Sequence, residues 1–85
     1  MGHTRLYIGD LSPKTSKEQI QALFTEAGKV MAISRVPHAT FAFVEMSTAA
    51  EAKQAVERYN GYDLDGSRLI VYAVPPHSQA RITSS

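Results

Sequence analysis

Cysteine is absent from all 85 residues, which excludes disulfides, thiolate metal sites and thiol nucleophiles. A reducing interior is compatible with such a chain. Charge of one sign is scarce as well: nine Lys and Arg against eight Asp and Glu leave a formal +1. Nucleic-acid-binding domains often carry a pronounced basic excess, because phosphate neutralisation supplies much of their affinity. A nucleic-acid partner of this chain would therefore be held largely by base contacts, or with help from other parts of a larger protein. Long apolar runs are also missing. The longest, residues 69–74, is far too short to cross a bilayer. No basic leader followed by an apolar stretch opens the sequence, so secretion is not expected. The three histidines, His3, His38 and His77, are scattered and lack carboxylate companions at metal spacing. Neither a glycine-rich phosphate loop, a nucleophile elbow nor a paired-carboxylate arrangement appears. No metal, cofactor or catalysis is expected.

What is present is an ordered alternation of strand and helix patterns. Apolar residues make up 44% of the chain, enough for one small core. Residues 5–9, Arg-Leu-Tyr-Ile-Gly, have strand composition and precede a break at Ser12-Pro13. Residues 16–27 place Ile20, Leu23, Phe24 and Ala27 at helical spacing, with Thr15 and Glu18 in a capping-box pattern and Gly28 at a C-cap. A second strand spans 30–36 and stops at Pro37; a third, 41–46, alternates strongly. Thr48 with Glu51 repeats the capping box and opens a helix through Tyr59, closed by Asn60-Gly61. Turn residues Asp63, Asp65 and Gly66 lead into a last strand, 68–74, stopped by Pro75-Pro76. This β-α-β-β-α-β order implies two interleaved βαβ units, hence an α+β sandwich of one four-stranded antiparallel sheet with both helices on one face. The expected organisation is a domain over residues 5–75 between loose ends at 1–4 and 76–85.

The strand residues that the helices cannot cover are the informative ones. Leu6 and Ile8 share one face of the first strand, and Arg5, Tyr7 and Gly9 the other. In the third strand Ala42, Val44 and Met46 oppose Phe41, Phe43 and Glu45. Turning the aliphatic sets inward avoids burying Arg5 and Glu45, and leaves Tyr7, Phe41 and Phe43 on the open face. A soluble monomer has little reason to expose three neighbouring aromatics unless something binds there. In the last strand Leu69, Val71 and Ala73 suit the core, so Arg68, Ile70 and Tyr72 point outward. Arg5, Arg68 and Tyr72 then border the cluster with donors for phosphate and sugar oxygens. Val30 and Ile33 both suit the core but have opposite parity, which implies a bulge and leaves the direction of Arg35 open. Tyr59 belongs in the core with its hydroxyl at the edge, Tyr62 in local packing, and Arg58 on the wrong side for the sheet.

Leu6-Tyr7-Ile8-Gly9-Asp10-Leu11 resembles the RNP2 motif of the RRM family, and residues 39–46 resemble its RNP1 motif. Phe41, Ala42, Phe43 and Val44 match RNP1, whereas Ala39, Thr40 and Met46 depart from it, as Asp10 departs from the Asn of RNP2. Ile20, Leu23, Phe24, Gly28, Val30, Ala52, Ala55, Val56, Asn60 and Gly61 also fall at family positions. Tyr7-Ile8-Gly9, the short connection 36–39, Phe43-Val44-Glu45 and residues 61–66 most resemble the first RRM of SR-type splicing factors. The resemblance implies a ferredoxin-like fold and a non-enzymatic module binding single-stranded RNA. In it Tyr7 and Phe43 would each support a base and Phe41 would pack on sugar. Ala39 stands where a basic residue usually meets phosphate, so weak binding is expected, with Arg5, Arg35 or His38 as partial substitutes. The resemblance also implies a role in nuclear pre-mRNA processing and splicing, a monomeric form, and RNA-processing proteins as secondary partners, with the cytoplasm as a second compartment. The rival reading is an RRM used mainly for protein–protein interaction.

Overall fold

In the computed structural model, residues 2–75 are described. They form β1 (Arg5–Gly9), α1 (Lys17–Thr25), β2 (Val30–Arg35), β3 (Ala42–Met46), α2 (Ala49–Tyr59), β4 (Asp63–Leu64), β5 (Ser67–Arg68) and β6 (Ile70–Val74). β2, β3, β1 and β6 lie side by side in that order in one antiparallel sheet, while β4 and β5 make a separate hairpin. This is the α+β arrangement that the β-α-β-β-α-β pattern implies. The expected tail from residue 76 onward lies outside the described residues.

Packing follows the parity of the central strands. Leu6, Ile8, Ala42, Val44 and Met46 are buried with Ile20 and Phe24 of α1 and Ala52, Ala55 and Tyr59 of α2. Burial of each large apolar side chain contributes about 1.5–3 kcal/mol. Tyr59 packs on Phe24 with ring centroids 4.8 Å apart, and its hydroxyl donates to the Leu23 carbonyl at 2.7 Å. Tyr62 meets Tyr59 edge-on at 5.6 Å, in the local packing expected of it. Arg58 donates to the Glu26 carbonyl at the end of α1, away from the open face. The β2–β3 register shifts between Val30 and Ala32, so a bulge lets both Val30 and Ile33 pack against the core.

Several boundaries differ from the sequence pattern, some because a distant contact intervenes. Ser16, not Thr15, caps α1: its side chain accepts from Gln19 N and the Gln19 side chain accepts from Ser16 N. Thr15 is buried instead and donates to Asp65 at 2.6 Å. α1 ends at Glu26 in a right-handed cap rather than at Gly28. A Cβ at Gly28 would come within 2.5 Å of the Glu51 side chain, so this glycine serves close approach. β2 ends at Arg35, one residue early, and Phe41 lies just before β3. The expected strand 68–74 is broken at Leu69, whose N–H donates to Tyr62 O at 2.8 Å and whose carbonyl accepts from Gly61 N at 2.7 Å. Residues 61–69 thereby close into their own hairpin around Asp65-Gly66, both at positive φ, as a tight two-residue turn requires. Ala73 is exposed rather than buried. It sits on the edge strand beside Val56 and Lys53, in a shallow depression that α2 does not fill.

Thr48 caps α2 as its position implies, accepting from Glu51 N at 3.1 Å. The Glu51 carboxylate, however, takes the Ser47 hydroxyl at 2.6 Å and Lys29 N at 3.3 Å instead of closing the box. The bond from the Ser47 side chain, with backbone donors from Lys29, Thr48 and Ser47, holds this carboxyl below its usual range, outweighing partial desolvation. A lowered folded-state pKa contributes stability that is present above the unfolded value and is lost as pH falls through the folded one. Glu51→Gln is therefore expected to destabilise the domain in urea melts at pH 7. The difference from the unmodified chain should shrink once the pH drops below the ordinary carboxylate range. An unchanged difference at low pH would contradict the assignment.

Candidate nucleic-acid interface

The open face of the sheet gathers the outward residues of its three adjoining strands. Register places Tyr7 opposite Phe43 on β3 and opposite Tyr72 on β6, so the three rings share one row. Tyr72 is the nearest neighbour of Tyr7, with centroids 5.1 Å apart and planes inclined by 32°. Phe43 meets Tyr7 edge-on at 5.7 Å. Phe41 lies 6.5 Å away with its plane within 13° of that of Tyr7, and meets Phe43 edge-on at 6.1 Å. All four pairs lie in the range where aromatic rings attract one another. Phe41 and Tyr72 are 39% and 49% exposed and Ile70 beside them 42%, so the surface is both apolar and open.

Local backbone makes the cluster possible. A Cβ at Gly9 would stand 2.7 Å from Tyr7 Cε2 and 3.0 Å from its hydroxyl. The Tyr7 ring thus leans along its own strand over a bare backbone. Phe41, outside β3, is held by the bond from Leu11 N to Thr40 O, 2.9 Å, which continues the β1–β3 pairing past the end of the strands. At the other end Met46 N donates to Thr4 O at 2.9 Å, and the Thr4 hydroxyl bonds the Glu45 carboxylate.

The basic residues divide into two groups. Arg5 stands over Phe43, with Cζ 4.6 Å from the ring centroid, in cation–π geometry. Arg68 is exposed on β5, not within the main sheet, and lines a depression with Asp10, Thr40 and Ser67. Both lie at the rim of the platform. Arg35, expected among the donors to RNA, turns its guanidinium onto backbone carbonyls in the free protein. Its guanidinium bonds the carbonyls of Ser12, Thr15, Val36 and Ala39 at 2.7–3.2 Å, which occupies all five of its N–H groups. His38 is exposed at the β2–β3 turn with φ +69°, and makes no side-chain hydrogen bond among the described residues. Two features escaped sequence reasoning: the contact of Tyr72 with Tyr7, which needs the β1–β6 register, and the grouping of Asp10 and Thr40 with Arg68.

Residues 6–70 match the family model described as RNA recognition motif. The chain belongs to the RNA recognition motif family. As a member of this family of RNA-binding modules, it is 37% identical over 78 residues to the 29 kDa ribonucleoprotein, chloroplastic, of Arabidopsis thaliana, covering 85% of this chain and 23% of that protein. It is 39% identical over 72 residues to the serine/arginine-rich splicing factor RS2Z32 of the same plant, covering 85% of this chain and 25% of that one. The chain thus spans about a quarter of the length of these curated relatives. Among solved structures, the RNA15 RRM superposes with a TM-score of 0.79 at 23% identity, covering 95% of this chain and 99% of that one. RRM3 of Pes4 superposes with a TM-score of 0.79 at 24% identity, covering 86% and 93%. At these identities the two structures show a shared fold.

Because the Tyr7 ring lies over Gly9, a methyl group there displaces the ring without touching the core. Gly9→Ala is expected to keep the far-UV circular dichroism of the domain while shifting the Tyr7 ring resonances and weakening its NOEs to Phe43. Unmoved Tyr7 signals would show that the ring does not depend on the bare backbone.

Proposed function

We propose that the open sheet face binds a short single-stranded RNA by stacking bases on Tyr7 and Phe43, with Phe41 packing on sugar. The observation that carries this reading is the contiguous aromatic row Phe43–Tyr7–Tyr72 on the open face, its half-buried Phe43 and Tyr7 flanked by exposed Tyr72 and Phe41. Aromatic faces accept unstacked bases in this family, each stack contributing about 1–3 kcal/mol. Arg5 covers Phe43 in the free protein. A base arriving on Phe43 takes the place of the guanidinium, which then reaches the adjoining phosphate. Arg68 and the Tyr72 hydroxyl supply further donors at the rim. Two available arginines give a shallow salt dependence, with a slope of about −1.4 in log affinity against log salt, and correspondingly weak binding by the isolated domain.

The reading extends to pre-mRNA processing. The serine/arginine-rich relative supports a nuclear, splicing-related role, the chloroplastic ribonucleoproteins support RNA processing in an organelle, and the short β2–β3 connection favours the first.

Phe41→Ala combined with Phe43→Ala is expected to remove at least the binding energy of one base stack, about 1–3 kcal/mol, together with the sugar contact of Phe41, while the domain stays folded. Amide shifts recorded during titration with short random single-stranded RNA oligonucleotides provide the measurement. Retained affinity in the folded double variant would refute the stacking mechanism.

A further inference from the structure

The β2–β3 connection is short and conformationally demanding. Ala39 N donates to Val36 O at 3.1 Å across Pro37-His38, and His38 holds a φ of +69°. Proline at the second position and positive φ at the third follow the type II pattern, whose third position ordinarily takes glycine. A histidine there needs support from its surroundings. Arg35, immediately before the turn, provides it.

The five N–H groups of Arg35 make five short bonds to two separate segments. Nε and one Nη2 hydrogen converge on Thr15 O at 3.1 and 3.0 Å, and the second Nη2 hydrogen reaches Ser12 O at 3.2 Å, all in the β1–α1 loop. Nη1 donates to Val36 O and Ala39 O at 2.9 and 2.7 Å, both in the β2–β3 turn. A planar fork matches this arrangement, whereas the three donors of an ammonium radiate from a single point. The two segments that Arg35 joins are also joined by Leu11 N to Thr40 O, and the residue after Thr40 is Phe41, which no strand ladder holds.

We infer that Arg35 is a positioning residue for RNA binding and not an RNA ligand. It clamps the β1–α1 loop to the β2–β3 turn and thereby keeps Phe41 nearly parallel to Tyr7. The inference rests on the sheet-face reading for its effect on affinity, but its structural half is observable without RNA.

The test compares Arg35→Ala and Arg35→Lys with Arg68→Ala, each shown to be folded by circular dichroism before use. In the free protein both Arg35 variants should lose Phe41–Tyr7 NOEs and show faster hydrogen exchange at the Leu11 and Ala39 amides. Their affinity for short random single-stranded RNA should fall about tenfold as the Phe41 contact is lost, with the salt slope unchanged. Lysine should fail to rescue although it keeps the charge, and it serves as the readable variant if alanine does not fold. Arg68→Ala should instead flatten the slope by about 0.7. A flattened slope in Arg35→Ala, or restoration of affinity by Arg35→Lys, would mark Arg35 as a phosphate contact and overturn the proposal. Unchanged NOEs and exchange at Phe41, Leu11 and Ala39 would overturn it equally. If Phe41→Ala combined with Phe43→Ala leaves affinity intact, the sheet-face reading fails, while the RNA-free measurements still decide whether Arg35 positions the ring.

Discussion

Side-chain alternation along β1 and β3, in a sheet covered by helices on one face only, constrains the rest of the domain. Every second residue must fill the core, and Leu6, Ile8, Ala42, Val44 and Met46 do so with almost no exposed surface. The residues between them have no choice of side. A slip of one residue would put Arg5 and Glu45 under the helices and the aliphatic set in water. The same alternation that builds the core therefore assembles the aromatic row, and the site adds little to the requirements of folding.

Within this frame the small basic content is put to distinct uses. Arg58 satisfies a carbonyl at the end of α1, and Arg35 satisfies four across a loop and a turn. Arg5 and Arg68 are left at the rim of the platform. With a formal charge of only +1 on the chain and two arginines at the platform, aromatic contact would have to supply most of the attraction in the proposed RNA binding. The departures at Ala39 and Thr40 fit the same picture: the Ala39 carbonyl takes part in the clamp and the Thr40 carbonyl in a backbone bond.

Legibility in the sequence depended on how local the cause was. The inward and outward sets of β1 and β3 were readable because their period is set by the strand itself, and the bulge near Val30 was readable as a conflict of parity. The cap of α1 was misread because Thr15 satisfies its hydroxyl with Asp65, fifty positions away. Gly28 was misread because its bare Cα makes room for Glu51 of the other helix. The break at Leu69 arises from bonds to Gly61 and Tyr62 that carry no signature in composition.

By itself the sequence determined the order of the elements, the family through Tyr7, Phe41 and Phe43 in their two motifs, and the face on which those rings stand. Strand periodicity and apolar content are properties of short segments, so short segments suffice to read them. Only the tertiary structure decided that Tyr72 joins Tyr7, that Arg5 lies over Phe43, and that the donors of Arg35 are consumed by backbone carbonyls. Register and hydrogen-bond partnership are relations between segments distant in the chain. They are settled when the sheet closes and the loops at its end meet.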